Sequence, residues 1–171
     1  MTFSYVWVFE TSSGGGGLNI NSLKNIFESA RSKRGSLEEE LDKWLSDDSG
    51  LYAKIGFKVD KVEQGFAQLS FPFSQLATRR GGVIHGGVIM YALDNACGLA
   101  VMSANTGVDQ FTLELKVNFL EPLIRGPFCV VGHLIRMGGT TAVAEGEVLD
   151  SERRLCAKGL GTWFIVRGKA N

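Results

Sequence analysis

One residue is out of keeping with its surroundings. Asp94 sits in the middle of Val88-Ile89-Met90-Tyr91-Ala92-Leu93-Asp94-Asn95-Ala96-Cys97-Gly98-Leu99-Ala100, a run that holds no other charge. An ionised carboxylate in such a run is costly unless it is paired, hydrogen-bonded or neutralised. Carboxylates perturbed in this way mark functional sites, although a structural aspartate bonded to an amide or to a partner subunit meets the same description. Eight residues earlier, Gly86 and Gly87 follow His85 at the start of the same run. The first N–H groups of a helix have no acceptor within it, and the positive end of the helix dipole lies behind them. Glycines there also let a carbonyl approach the backbone closely, which is what an oxyanion hole requires; the plain alternative is a helix entry turn. A carboxylate base or nucleophile together with an oxyanion donor is the equipment for attack on a carbonyl. Eight helical residues span about 12 Å along the axis, so one chain cannot bring both groups to the same carbonyl. A shared site calls for a second copy of the chain.

The elements that hold these residues follow from hydrophobic periodicity. Residues 88 to 105 are apolar around nearly the whole circumference, the pattern of a buried helix. Residues 52 to 59 and 65 to 73 read as two strands joined by a turn at Glu63-Gln64-Gly65. Phe111 to Leu120 alternates strictly, with Leu113, Leu115, Val117 and Phe119 on one face and Glu114, Lys116 and Asn118 on the other. Three more strands are expected at 128 to 137, 140 to 149 and 155 to 166. Gly138-Gly139 and Asp150-Ser151-Glu152-Arg153-Arg154 are the turns between them, short enough to make these strands antiparallel. Ahead of the strands, 21 to 46 reads as two amphipathic helices, the second opened by a capping box of Ser36 and Glu39. The Ser/Gly run at 12 to 17 is a linker by composition. Three segments result: a flexible N-terminal piece over 1–20, a helical extension over 21–49 and a catalytic domain over 50–168. The layout is α+β, one antiparallel sheet with a long central helix and extra N-terminal helices.

Composition narrows the partners. Lysine and arginine number 18, as do aspartate and glutamate, so no overall basic field draws the chain to nucleic acid or to an anionic membrane. An anionic ligand must be met by a local patch. The three cysteines, Cys97, Cys129 and Cys156, are odd in number and set in apolar stretches, which suits thiols in a reducing, cytoplasmic compartment. The two histidines, His85 and His133, form no zinc-spaced set with them, so neither a metal nor another cofactor is expected. Met1 to Phe9 is apolar but lacks the basic region and cleavage site of a signal peptide, and Asp94 interrupts the apolar run nearest in length to a membrane span.

His85-Gly86-Gly87 with Asp94 nine residues after the histidine, followed by Phe111-Thr112-Leu113-Glu114-Leu115-Lys116-Val117-Asn118-Phe119-Leu120 before Pro122, resembles the PaaI-type acyl-CoA thioesterases of the hotdog superfamily. The resemblance runs over about residues 50 to 166. It implies the hotdog fold, a curved antiparallel sheet wrapped around the long helix, in dimers joined sheet edge to sheet edge and often paired into tetramers. It also implies an acyl-CoA substrate. Asp94 is then the nucleophile or general base, the Gly86 amide polarises the thioester carbonyl, Thr112 places the attacking water, and His85 shapes the loop or touches the thioester. Gly87 belongs to the substrate-binding backbone. Some relatives carry asparagine or glutamine six residues before the histidine where this chain has Arg79; Arg79 and Arg80 are instead candidates for the CoA phosphates, since guanidinium forks match phosphate oxygens. Two other functions fit the same fold, a non-catalytic acyl-CoA sensing module and an acyl-CoA hydratase.

Overall fold

The computed structural model describes residues 36–48 and 50–167. The first of the two expected N-terminal helices and the Ser/Gly linker lie outside the described residues. Helix α1 (Leu37–Asp48) starts where the capping box places it: Ser36 Oγ accepts the Glu39 N–H at 3.2 Å.

The strand expected at 52 to 59 is a helix over its first half. Helix α2 (Gly50–Ile55) buries Tyr52 and Ile55, three residues apart and so on one helical face. Gly56, at φ 86°, then ends it in the left-handed conformation, its N–H and that of Phe57 both reaching the Tyr52 carbonyl. The apparent alternation of Ile55, Phe57 and Val59 runs across this helix end into strand β1 (Lys58–Glu63), which turns at Gln64-Gly65 into β2 (Phe66–Phe71).

A small hairpin of β3 (Thr78–Arg79) and β4 (Val83–Ile84) leads into helix α3 (Gly86–Ala104). The chain then forms β5 (Asp109–Phe119), β6 (Phe128–Met137), β7 (Thr141–Leu149) and β8 (Leu155–Val166). These and the first two strands make one six-stranded antiparallel sheet in the order β1-β2-β6-β7-β8-β5. With α3 laid across one face, this is the hotdog fold. By length and composition alone α3 could cross a membrane even with Asp94 in its middle, a test that the buried core helix of a soluble protein also passes. Its apolar side chains are used otherwise: Ile89, Ala92, Leu93, Ala96, Cys97, Leu99, Ala100 and Val101 are buried against the sheet.

The close approach of helix to sheet depends on glycines in β6 and β7. A Cβ at Gly132 would run into the Ala96 carbonyl of α3, and one at Gly146 would lie 2.7 Å from Cys97 Sγ and 2.9 Å from Leu93 Cδ2. No side chain fits there without displacing the helix. Trp163 on β8 completes this part of the core beside Cys97 and Val101.

The two edges of the sheet are treated differently. Along β1, α1 supplies acceptors to the outward N–H groups: Val59 N–H donates to Asp42 Oδ1 at 2.6 Å and Val62 N–H to Glu38 Oε1 at 3.3 Å. Tyr52 Oη also donates to Asp42 Oδ1, at 2.8 Å, tying α2 to the same carboxylate. Strand β5 at the other end pairs with β8 on one side and with no described strand on the other. An unpaired edge of 11 residues is a template for another strand.

Replacing Gly132 by alanine should therefore destabilise the protein by about 1–3 kcal/mol or more, the usual range for overpacking, read as a lower urea midpoint with an unchanged slope. The same change at Gly139, where an added Cβ meets nothing within 4 Å, should leave the midpoint nearly in place.

Candidate active site

Asp94 lies at mid-helix on α3 and is half-buried; its Oδ1 accepts the Thr112 hydroxyl of β5 at 2.8 Å. The structure thus brings together two of the residues expected to act together. Strict alternation along β5 would have prevented this. It would set Thr112 on the face of Glu114, away from the helix that carries Leu115 and Val117 in its core. A β-bulge at Leu113 resolves the conflict. Thr112 pairs with Trp163 and Glu114 with Thr162, so that Leu113 is the extra residue and the side chains on either side of it point to opposite faces. Thr112 then faces α3 while Glu114 faces outward, accepting from Thr162 Oγ1 at 2.9 Å. The expected face assignment holds from Leu115 onward, but Leu113 leaves it and projects into solvent.

The strand is held in this register at its start. Gln110 Nε2 donates to the Gly98 carbonyl of α3 at 2.7 Å, and Asn105 Nδ2 donates to Gln110 Oε1 at 3.3 Å. These amides fasten β5 to α3 one helical turn beyond Asp94. Sequence reasoning did not single them out, because two polar residues near a loop carry no signal of what they face.

Burial raises the Asp94 pKa above the ordinary carboxylate value, and the Thr112 hydrogen bond draws it part of the way back. Cys97, one turn further along α3, is pushed up to about 12, first by burial and then by the charge of Asp94. It stays a thiol at neutral pH.

At the other end of the site, His85 is the N-cap of α3. Its Nδ1 accepts the Gly87 N–H at 2.9 Å, and its carbonyl accepts from Val88 and Ile89. The expectation that both glycine amides are open is corrected: Gly87 N–H is committed to the cap, so it is not a donor to substrate. Gly86 N–H has no acceptor among the described residues. Because Nδ1 accepts, the proton of neutral His85 is on Nε2. His85 is exposed, so that proton is open to a ligand.

Gly86, Met90 and Asp94 follow at intervals of four and so share one stripe of α3, with Met90 exposed between the other two. Arg79 and Arg80 lie just ahead of the helix, on the β3–β4 hairpin, which is bound to the helix entry by the His85 N–H donating to the Ala77 carbonyl at 2.8 Å. Both are exposed; Arg79 Nη1 donates to the Arg80 carbonyl at 2.9 Å, and Gly81 and Gly82, at φ 95° and 68°, make the tight turn beyond them. Lys158, by contrast, bridges Glu145 and Glu147 on the outer sheet face.

Residues 81–157 match the family model described as the thioesterase superfamily, a segment that contains Gly86, Asp94 and Thr112. A protein of Saccharolobus solfataricus, provisionally named an esterase, is 44% identical over 119 residues, which are 70% of this chain and 85% of that one. The chain belongs to the thioesterase superfamily. A more distant relative, named the medium/long-chain acyl-CoA thioesterase YigI of Escherichia coli, is 28% identical over 127 residues, 65% of this chain and 82% of the relative. Among solved structures, the PaaI protein of the Escherichia coli phenylacetic acid degradation operon superposes with a TM-score of 0.68, covering 85% of this chain and 96% of that one; at 16% identity it speaks for the fold alone.

For this superfamily member the bulge is the device that turns Thr112 inward. Deleting Leu113 should restore regular pairing and rotate Thr112 away from Asp94. The variant is expected to keep a folded sheet by circular dichroism and to lose most of its catalytic activity. Full activity would show that the Thr112 contact is not needed.

Proposed function

We propose that the chain hydrolyses acyl-CoA thioesters to a free acid and CoA, with Asp94 as base or nucleophile and the Gly86 amide as oxyanion donor. The observation that carries this reading is the half-buried Asp94 carboxylate held by the Thr112 hydroxyl on an otherwise uncharged helix. Relatives named as esterases and acyl-CoA thioesterases support it. The PaaI-type motif of His85-Gly86-Gly87 and Asp94 supports it further.

In the general-base route, Asp94 takes a proton from a water that Thr112 helps to place. The resulting hydroxide adds to the thioester carbon, and the carbonyl oxygen becomes an oxyanion facing Gly86 N–H and the positive end of α3. Collapse of the tetrahedral species breaks the C–S bond, and the CoA thiolate leaves with the proton returned by Asp94. In the nucleophilic route, Asp94 itself adds, thiolate leaves, and water opens the mixed anhydride. Both routes use the same two groups. Arg79 and Arg80, beside the helix entry, would receive the CoA phosphates, and Met90 the acyl chain.

Gly86 and Asp94 remain about 12 Å apart along the helix axis, so the working site is a dimer's. Strand β5 gives it a geometry. Thr112 and Asp94 lie near one end of this open-edged strand, and Phe119, its last residue, lies against Gly86 at the other. Antiparallel pairing of two copies of β5 about a twofold axis reverses these ends. The Gly86 end of one protomer then faces the Asp94 end of its partner, giving two equivalent sites per dimer.

The test is release of CoA thiol from a panel of aromatic, short-chain and medium-chain acyl-CoAs, with light scattering to establish twice the chain mass. Asp94→Asn should lose all but about a thousandth of kcat, on the scale of losing a group central to the reaction, and should also melt at a higher temperature at pH 7. The second effect has a definite sign. The folded protein holds the Asp94 proton more tightly than the unfolded chain does, so stability falls as pH rises through the raised pKa, and asparagine removes that loss. Wild type silent on the whole panel while still binding acyl-CoA would replace this reading with a sensing module.

The pH profile gives a further check. Activity should fall on the acid side as Asp94 becomes protonated. Because the Thr112 hydrogen bond lowers the Asp94 pKa, Thr112→Val should move that acid limb to higher pH. An unmoved limb would assign it to another group.

A further inference from the structure

We propose that Phe119 is a positioning residue of the thioester site, its ring forming the apolar wall beside the Gly86 amide against which the thioester is laid. This inference rests on the reading of Gly86 as the oxyanion donor.

Three observations carry it. The ring lies against the helix start: a Cβ at Gly86 would meet Phe119 Cζ at 3.4 Å and Cε1 at 3.5 Å. Phe119 nonetheless remains 53% exposed, although it pairs with buried Ala157 and has the inward parity of Leu115 and Val117, which pack against the core. The ring therefore overhangs the first residue of α3, whose N–H has no acceptor among the described residues, and covers little of the core. Its backbone is also fixed. The two residues that follow, Leu120 and Glu121, both donate to the Cys156 carbonyl, at 2.9 and 3.1 Å, so the end of β5 cannot swing the ring away.

The chemistry follows from what an apolar ring does beside an N–H donor. Water that reaches the donor competes with the substrate oxygen and weakens the field acting on it. A phenyl ring excludes that water and presents a flat surface to the thioester. It offers no hydrogen bond of its own, so it favours no competing orientation of the carbonyl. Because the effect grows with charge on the oxygen, it belongs mainly to the transition state and should appear in kcat more than in KM.

The experiment compares Phe119→Leu, which keeps apolar bulk, with Phe119→Gln, which has similar length but brings a polar group and water. Thiol release, the affinity for a non-hydrolysable thioether analogue of the acyl-CoA, melting temperature and mass in light scattering are measured for both. The leucine variant should keep kcat within about threefold of wild type, and the glutamine variant should lose about tenfold or more, on the scale of a weakened oxyanion contact. Affinity for the thioether analogue, on which no oxyanion develops, should change little in either. Equal kcat in the two variants would overturn the proposal. So would a loss in the glutamine variant that tracks dissociation or unfolding, since that would make Phe119 a packing residue. An inert wild type would remove the thioesterase reading and this inference with it, whereas an active wild type with equivalent leucine and glutamine variants would remove this inference alone.

Discussion

The closeness of α3 to the sheet is the constraint from which the site follows. Helices usually stand off a sheet by the length of their side chains. Here Gly132 and Gly146 remove the side chains on the sheet side, and the helix backbone at Ala96 and Cys97 comes down onto the strands. Asp94 lies on the same turns. With the helix pressed so low, its carboxylate is within reach of a short threonine side chain on β5, where a more distant helix would need a longer residue or a water between them. Burial of Asp94 has the same origin. Its raised pKa is a consequence of helix placement and not of any charged neighbour, since burial is the first cause of the shift and the only opposing cause is Thr112.

The sheet edges carry the argument from the single chain to the pair. Each end of an open antiparallel sheet presents unpaired N–H and C=O groups, and a stable protein must occupy or cover them. Helix α1 does this along β1 with Asp42 and Glu38, one turn apart on the same face. That arrangement assigns a task to the residues ahead of the sheet for which no motif gave a reading. It also leaves β5 as the edge on which another strand can add. In the dimer proposed above, the strand that carries Thr112 is the strand at which two copies meet, so that site assembly and edge protection are one event.

Much of this was legible in the sequence, for reasons that can be stated. The helix over 86–104 was visible because its apolar residues run around the whole circumference, which only burial explains. Strands β6, β7 and β8 were visible because their alternation is regular and their turns hold glycine or charge. Two features were not. The helix Gly50–Ile55 was hidden because six residues are too few to establish a period of 3.6, and because Ile55, Phe57 and Val59 mimic a period of 2 across its end. The bulge at Leu113 was hidden because a period of 2 is also what β5 shows on paper; only the partner strand reveals that Thr112 and Glu114 face opposite ways. The expectation that Thr112 belongs to the site came from family resemblance, against the direction in which simple alternation pointed. The commitment of Gly87 N–H to His85 was equally invisible, since histidine is not among the usual capping residues.

That last detail bears on how the helix end can act on a carbonyl. With Gly87 N–H capped, and with Val88 and Ile89 N–H turned to the His85 carbonyl, Gly86 is left as the backbone donor of the first turn open to a ligand. One donor gives direction, and the aligned peptides of a 19-residue helix give field, concentrated at that same end. The cap contributes to both. By accepting from Gly87, His85 Nδ1 restrains the glycine pair, so that in the proposed reaction the Gly86 N–H need not be reoriented as charge develops on the oxygen. Glycine at 86 allows the approach, and the histidine removes the freedom that two adjacent glycines would otherwise bring. The pairing of a flexible residue type with a fixed cap is what makes a donor of this kind preorganised.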